Sequence, residues 1–234
     1  MEALADEADV AVVVDVLSFA TSVTVALEIG ATVLPYPWRD DSAVAFAQRH
    51  GAVLAVGRSQ TGTGRVSLSP AEMRAHAPSG GAVVLPSPNG STIAHRLASG
   101  TTTCVAACAT RRPWRTGWTA DSRTRPRVAV VAAGERWPDD SLRPAVEDLW
   151  GAGAVLSALA AGGRPGFSPE ARAARATYEA IGTDLAAALH DCAGGQELDA
   201  LGFGADVDVA AAVGASSVVP VLRDGVFVDA AALG

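Results

Sequence analysis

Short apolar runs rich in Val and Ala recur along the chain without polar alternation, and stretches with the spacing of an apolar helical face separate them. Runs of that kind mark strands covered on both faces, as in a mainly parallel sheet. The pattern predicts strands at residues 10–15, 32–36, 52–56, 82–85, 103–108, 128–132 and 217–222. It predicts helices at residues 19–29, 41–50, 92–98, 145–161, 169–178, 181–191 and 207–213. Strand and helix alternate, so the expected architecture is a layered α/β fold, a mainly parallel or mixed sheet flanked by helices. Ligands are then expected beyond the carboxyl ends of the strands. Gly30 suits a helix end, and Gly162-Gly163 with Pro165 stops the long helix before them. The Gly-, Ser- and Thr-rich stretch 57–70 reads as a flexible loop.

Composition narrows the classes of function. With 234 residues, 49% of them hydrophobic, the chain suits one compact α/β unit, or two closely packed lobes. No window carries the roughly 18 unbroken apolar residues of a membrane span, and the acidic amino terminus lacks the basic start of a secretory signal. A cytoplasmic protein with no membrane partner is expected. Cys104, Cys108 and Cys192 are odd in number and lack metal-binding spacing, so they are read as buried thiols. Net charge is −7, and every one of the 18 cationic residues is arginine. The basic cluster at 111–127 is broken by Pro113, Gly117 and Pro126, so it reads as a solvated loop rather than a nucleic-acid site. Without lysine, Schiff-base chemistry and a lysine-bearing P-loop are excluded. Any anionic ligand must be held by arginine, backbone N–H groups or a metal. An alanine-rich surface with few aromatics is compatible with a homodimer.

Three stretches carry candidate chemistry. In VVVDVLSFATSVT, Asp15 ends the first strand, where its carboxylate can bind a divalent metal, act as a base, or cap the helix that follows. In LPSPNGST, Asn89 and Gly90 can aim backbone N–H groups at an anion, with Ser91 opening a helix; an ordinary capped turn explains the same residues. AAGE leaves a strand at Glu135, and VEDLWGAG follows. Glu147 and Asp148 suit the first turn of a helix, where the macrodipole favours acids, and could complete a Mg²⁺ site. Gly151 and Gly153 inside that helix each cost about 1 kcal/mol relative to alanine, so something must approach the backbone closely.

Taken in order, these stretches, with a closing GFGADVDVAAAVGASSVVPVLRDG, resemble the 2-phosphosulfolactate phosphatase family of Mg²⁺-dependent α/β enzymes. The resemblance implies hydrolysis of a small anionic phosphoester, 2-phosphosulfolactate, on the route to coenzyme M. It also leaves open another 2-phospho-carboxylic acid as substrate, or a non-catalytic relative that binds a small anion. It implies catalytic roles for Asp15 and Glu135 and a Mg²⁺ site at Asp15, Glu147 and Asp148. Substrate binding would fall to Ser18, Arg58, Arg65, Asn89, Gly90 and Ser91. The family's first motif reads Asp-Val-Leu-Arg-Ala, and this chain has Ser18 where that arginine stands. Arg58 or Arg65 is the expected substitute.

Overall fold

The computed structural model describes residues 7–38, 40–60, 65–98, 101–110 and 126–233. Its main sheet has eight strands: β1 (Val10–Val14), β2 (Thr32–Tyr36), β3 (Val53–Leu54), β4 (Ala82–Pro86), β5 (Thr102–Ala106), β6 (Val128–Ala132), β9 (Pro220–Arg223) and β10 (Val226–Asp229). Two more, β7 (Glu135–Arg136) and β8 (Leu142–Arg143), form a separate antiparallel pair. The order across the main sheet is β3-β4-β2-β10-β9-β5-β1-β6. Strands β3, β4 and β2 form one parallel trio, and β5, β1 and β6 form the other. The antiparallel hairpin of β9 and β10 joins them. Three successive antiparallel pairings separate β2 from β5, so the trios run in opposite senses. The mixed, mostly parallel α/β sheet agrees with the sequence reading, whereas β10 and the β7–β8 pair were not foreseen.

Strand β1 shows why a Val-rich run without alternation is stable here. Ala11 and Val13 pack into one apolar core, while Val10, Val12 and Val14 pack into the core on the opposite face. The first core includes α1 (Phe19–Glu28), α3 (Pro70–His76) and α4 (Gly90–Leu97), while α2 (Asp41–Arg49) packs on the opposite face of β2 and β4, against Leu34 and Val84. The second includes α5 (Val146–Ala161), α6 (Pro169–Ile181), α7 (Leu185–Asp191), α8 (Ala193–Ala200) and α9 (Gly204–Ala211). Helix α1 is buried throughout Phe19–Leu27. Its hydroxyls are satisfied by carbonyls: Thr21 donates to Val16 at 2.7 Å, Thr24 to Ala20 at 2.8 Å and Ser22 to Leu68 at 3.0 Å. A polar group that deep would otherwise lose its hydration without return.

The expected loop at 57–70 is more ordered than its composition suggests. Arg58–Gln60 forms a 3-10 turn, Ser67 bridges Val56, and Ser69 caps α3 by accepting from Glu72 N–H. Residues 61–64 of that loop and 111–125 of the basic cluster lie outside the described residues. The helix expected at 181–191 begins later, at Leu185, because α6 runs on to Ile181 and Gly182 ends it with φ +65°. All three cysteines are free and buried, as expected. Among the described residues no helix is long and apolar enough to cross a membrane.

The two helix-interior glycines mark close approaches. A Cβ on Gly151 would lie 2.7 Å from Val14 Cγ1 and 2.6 Å from Val16 Cγ2, and one on Gly153 would lie 2.3 Å from the Ala174 carbonyl oxygen. The first lets α5 sit on β1, and the second lets α6 sit on α5. Gly153→Ala is expected to lower stability by about 1–3 kcal/mol, overpacking outweighing the gain in helix propensity of about 1 kcal/mol. Denaturant unfolding checks this; an unchanged or raised midpoint would refute the close α5–α6 packing.

Candidate active site

Asp15 leaves β1 and meets the N-termini of two helices at once. Its Oδ1 accepts from Phe19 N–H at 3.0 Å, at the start of α1, and its Oδ2 accepts from Gly90 N–H at 3.0 Å, at the start of α4. Cap and cavity residue are thus one side chain, since Asp15 also lines a cavity of about 240 Å³ with Ser18, Arg58, Ser87, Asn89 and Glu135 among others. The Asn-Gly pair serves closeness rather than a left-handed turn. A Cβ on residue 90 would fall 2.2 Å from the Phe19 ring and 2.7 Å from Asp15 Oδ2.

The neighbouring acids follow the same logic. Asp148, in the first turn of α5, accepts from Val16 N–H at 2.7 Å and from Gly134 N–H at 2.9 Å, clamping the end of β1 to the end of β6. Gly134 makes its turn with φ +69°, which delivers Glu135 to the cavity. There Glu135 accepts from Asn89 Nδ2 at 2.8 Å. Glu147 is buried beside these groups and accepts a thiol hydrogen from Cys192, at 3.5 Å.

The cation among the lining residues is Arg58. Arg58 donates through Nε to Asp206 at 2.9 Å and through an Nη to Ser18 Oγ, and it stacks over Phe203 with 5.7 Å to the ring centroid. The guanidinium therefore stands against the serine that occupies the family arginine's place. Arg65 is exposed and does not line the cavity. The Ser91 hydroxyl is committed to the Leu85 carbonyl at 2.8 Å. Of the sequence candidates, Asp15, Ser18, Arg58, Asn89 and Glu135 line the cavity; Glu147 and Asp148 stand behind Asp15, and Gly90 reaches it through its N–H. Asp206 was missed by motif reading, because nothing local signals an acid 148 positions from the arginine it holds.

Burial dominates the electrostatics. It pushes the Asp15 carboxyl up to about 7, with Glu135 and Glu147 adding repulsion and the Phe19 and Gly90 N–H groups opposing. Asp148 is raised well above the usual range by burial and then by Asp15, and Glu135 is raised by burial against the pull of Asn89 and Arg143. Three helix N-termini, those of α1, α4 and α5, supply roughly half a positive charge each, too little to balance four carboxylates. The donors fit a hard divalent cation in type and charge. Among the described residues, however, no three His, Cys, Asp or Glu side chains are gathered to hold a metal ion unaided. Mg²⁺, which keeps several waters and takes one or two carboxylates, fits such a site better than a fully protein-ligated ion does.

A layered α/β scaffold with a small polar cavity lined by two acids and an arginine suits an enzyme for a small charged metabolite. Over residues 2–225 the chain matches the model of the 2-phosphosulpholactate phosphatase family. It is also 32% identical over 232 residues to a probable 2-phosphosulfolactate phosphatase of Deinococcus radiodurans, with 96% of this chain and 92% of that protein covered. The chain belongs to the 2-phosphosulfolactate phosphatase family, and its enzyme class is that of phosphoric monoester hydrolases.

The Asp15 carboxyl, held near 7 in the folded chain against 3.8 unfolded, keeps a proton in the folded state that the unfolded state has released. Its contribution to stability is therefore full below about pH 4 and is lost as pH rises to about 7. Asp15→Asn removes that loss but offers one acceptor to two N–H groups. Across that window the difference in stability, variant minus native, should rise by a few kcal/mol at most. Unfolding curves at a series of pH values in chelator check this, and a flat difference would contradict the buried, proton-holding carboxyl.

Proposed function

We propose that the protein hydrolyses a small acidic phosphoester, 2-phosphosulfolactate, to sulfolactate and phosphate with Mg²⁺ as cofactor. The observation that carries the proposal is the cavity of about 240 Å³ that Arg58 lines together with Asp15 and Glu135. That volume suits a three-carbon ester and leaves little room for a nucleotide.

In hydrolysis the bond between phosphorus and the ester oxygen breaks as water's oxygen joins phosphorus. Arg58 binds the phosphoryl oxygens and holds the charge that develops on them. Glu135 takes the proton of the attacking water; its raised pKa brings it closer to the operating pH and improves it as a base. The departing alkoxide takes a proton from solvent water in the open cavity. Asp15, with no more than one further acid such as the nearby Glu147 and with water, would hold Mg²⁺. When bound, that ion supplies neutralisation of phosphoryl charge. Asp148 keeps the site in register by holding the ends of β1 and β6 together. Asn89 fixes the Glu135 carboxylate, and Ser18 steadies Arg58.

Phosphate release from 2-phosphosulfolactate and a panel of 2-phospho-carboxylic acids, with Mg²⁺ and with chelator, tests the proposal. Native protein should turn over with Mg²⁺ only, Glu135→Gln should lose about 10²-fold or more in kcat, and Asp15→Asn should lose metal-dependent turnover altogether. Full turnover in chelator would remove the cation from the account. A folded native protein that releases no phosphate from any member would make the chain an anion-binding relative.

A further inference from the structure

The guanidinium that closes the cavity does not stand on its own segment's rigidity. Arg58 opens a three-residue 3-10 turn, next to residues outside the described set, yet its head is fixed on several sides. The geometry points to Asp206 as the residue that positions Arg58 for the substrate's anionic group, an inference that rests on the reading of Arg58 as the phosphoryl-binding residue.

Three observations carry it. Asp206 is 1% exposed and its Oδ2 accepts from Arg58 Nε at 2.9 Å, so a buried carboxylate meets a partly buried cation along one edge of its fork. Phe203, three residues earlier at the start of α9, lies beneath the same guanidinium plane, so one helix terminus supplies both the charge and the platform. Finally, Asp206 Oδ1 accepts from Ser69 Oγ and from Ala71 N–H at 3.3 Å, which anchors the carboxylate to the N-terminus of α3 and prevents it from following Arg58 outward. Ser18 Oγ takes an Nη of Arg58 and also donates to the Leu68 carbonyl at 3.2 Å, from the segment that leads into α3. The α3 entry, α9 and the turn at Arg58 are thus joined at one carboxylate that itself does not line the cavity. An arginine supplied from a loop needs such a brace, because an unbraced guanidinium would lose side-chain entropy when it closed on an anion.

The test compares Asp206→Asn, Arg58→Ala and the double variant. It uses kcat/KM on 2-phosphosulfolactate and calorimetric affinity for inorganic phosphate, which needs no turnover. Asp206→Asn keeps shape and an acceptor for Ser69 and Ala71. It should weaken both quantities about tenfold, the loss of one charge-assisted hydrogen bond, and should add nothing in the Arg58→Ala background. Multiplicative effects, or a lowered melting temperature with both quantities unchanged, would overturn the inference and leave Asp206 as a clamp for α3. In the native protein the Arg58 Nε–H resonance, assigned by its loss in Arg58→Lys, should be protected from solvent exchange at neutral pH. Rapid exchange would contradict the inference even if no variant at 206 folded. Native protein that binds phosphate without hydrolysing the ester would sink the proposed function, while the phosphate affinities of the variants would still decide the role of Asp206.

Discussion

Everything at the site depends on two buried carboxylates that accept four backbone N–H groups from three segments: the β1–α1 connection, the start of α4 and the turn at Gly134. Asp15 gathers the starts of α1 and α4, and Asp148 gathers Val16 and the turn at Gly134. The strand trios run in opposite senses, so the segments after β1 and β4 do not share one edge of a parallel sheet, and the hydrogen bond from Gly90 N–H to Asp15 joins them. A charged group so used is strongly destabilised by burial and by its neighbours, which is why both pKa values rise. The arrangement is costly for folding. It holds charge-bearing oxygens at fixed positions beside a cavity, which catalysis of phosphoryl transfer requires.

The fold divides accordingly. The apolar residues of β1 alternate between two cores, and Gly151 brings α5 within contact of Val14 and Val16 while Gly153 brings it within contact of α6. Asp148 rides on this helix, so the packing of Gly151 and Gly153 and the position of the acid are one constraint. Helix α9 and the start of α3 meet at Asp206 and carry Arg58. Helices α5 and α9, which bear Asp148 and Asp206, belong to one layer, and α1, α3 and α4 meet them from the other, so the cavity is built from both layers.

Much of this was legible in the sequence. Val-rich runs showed doubly covered strands, Asp15 stood out as a carboxylate closing such a run, and two glycines in an otherwise helical stretch marked a close approach. Ser18 in the family arginine's place directed attention to Arg58, whose guanidinium lies against that serine. What escaped was set by tertiary pairing. The hairpin of β9 and β10 turns at Asp224-Gly225, a short-range signal just past the last predicted strand, residues 217–222, that was given no turn reading. The need for glycine at 90 came from the Phe19 ring, which no local pattern reveals. Ser91 resembled an anion ligand until its hydroxyl was found on Leu85, and Asp206 lay far in sequence from the arginine it braces.

The central claim is that the acidic residues of the site hold protons in the empty chain and exchange them for a hard cation. Calorimetric titration of the native protein with Mg²⁺ at about pH 6.5, repeated in two buffers of different ionisation enthalpy, measures that exchange directly. The account predicts heats that differ between the buffers in the sense of proton release on binding, because Asp15 and its neighbours must ionise to take the cation. Binding with a buffer-independent heat, or no binding at millimolar Mg²⁺, would contradict it.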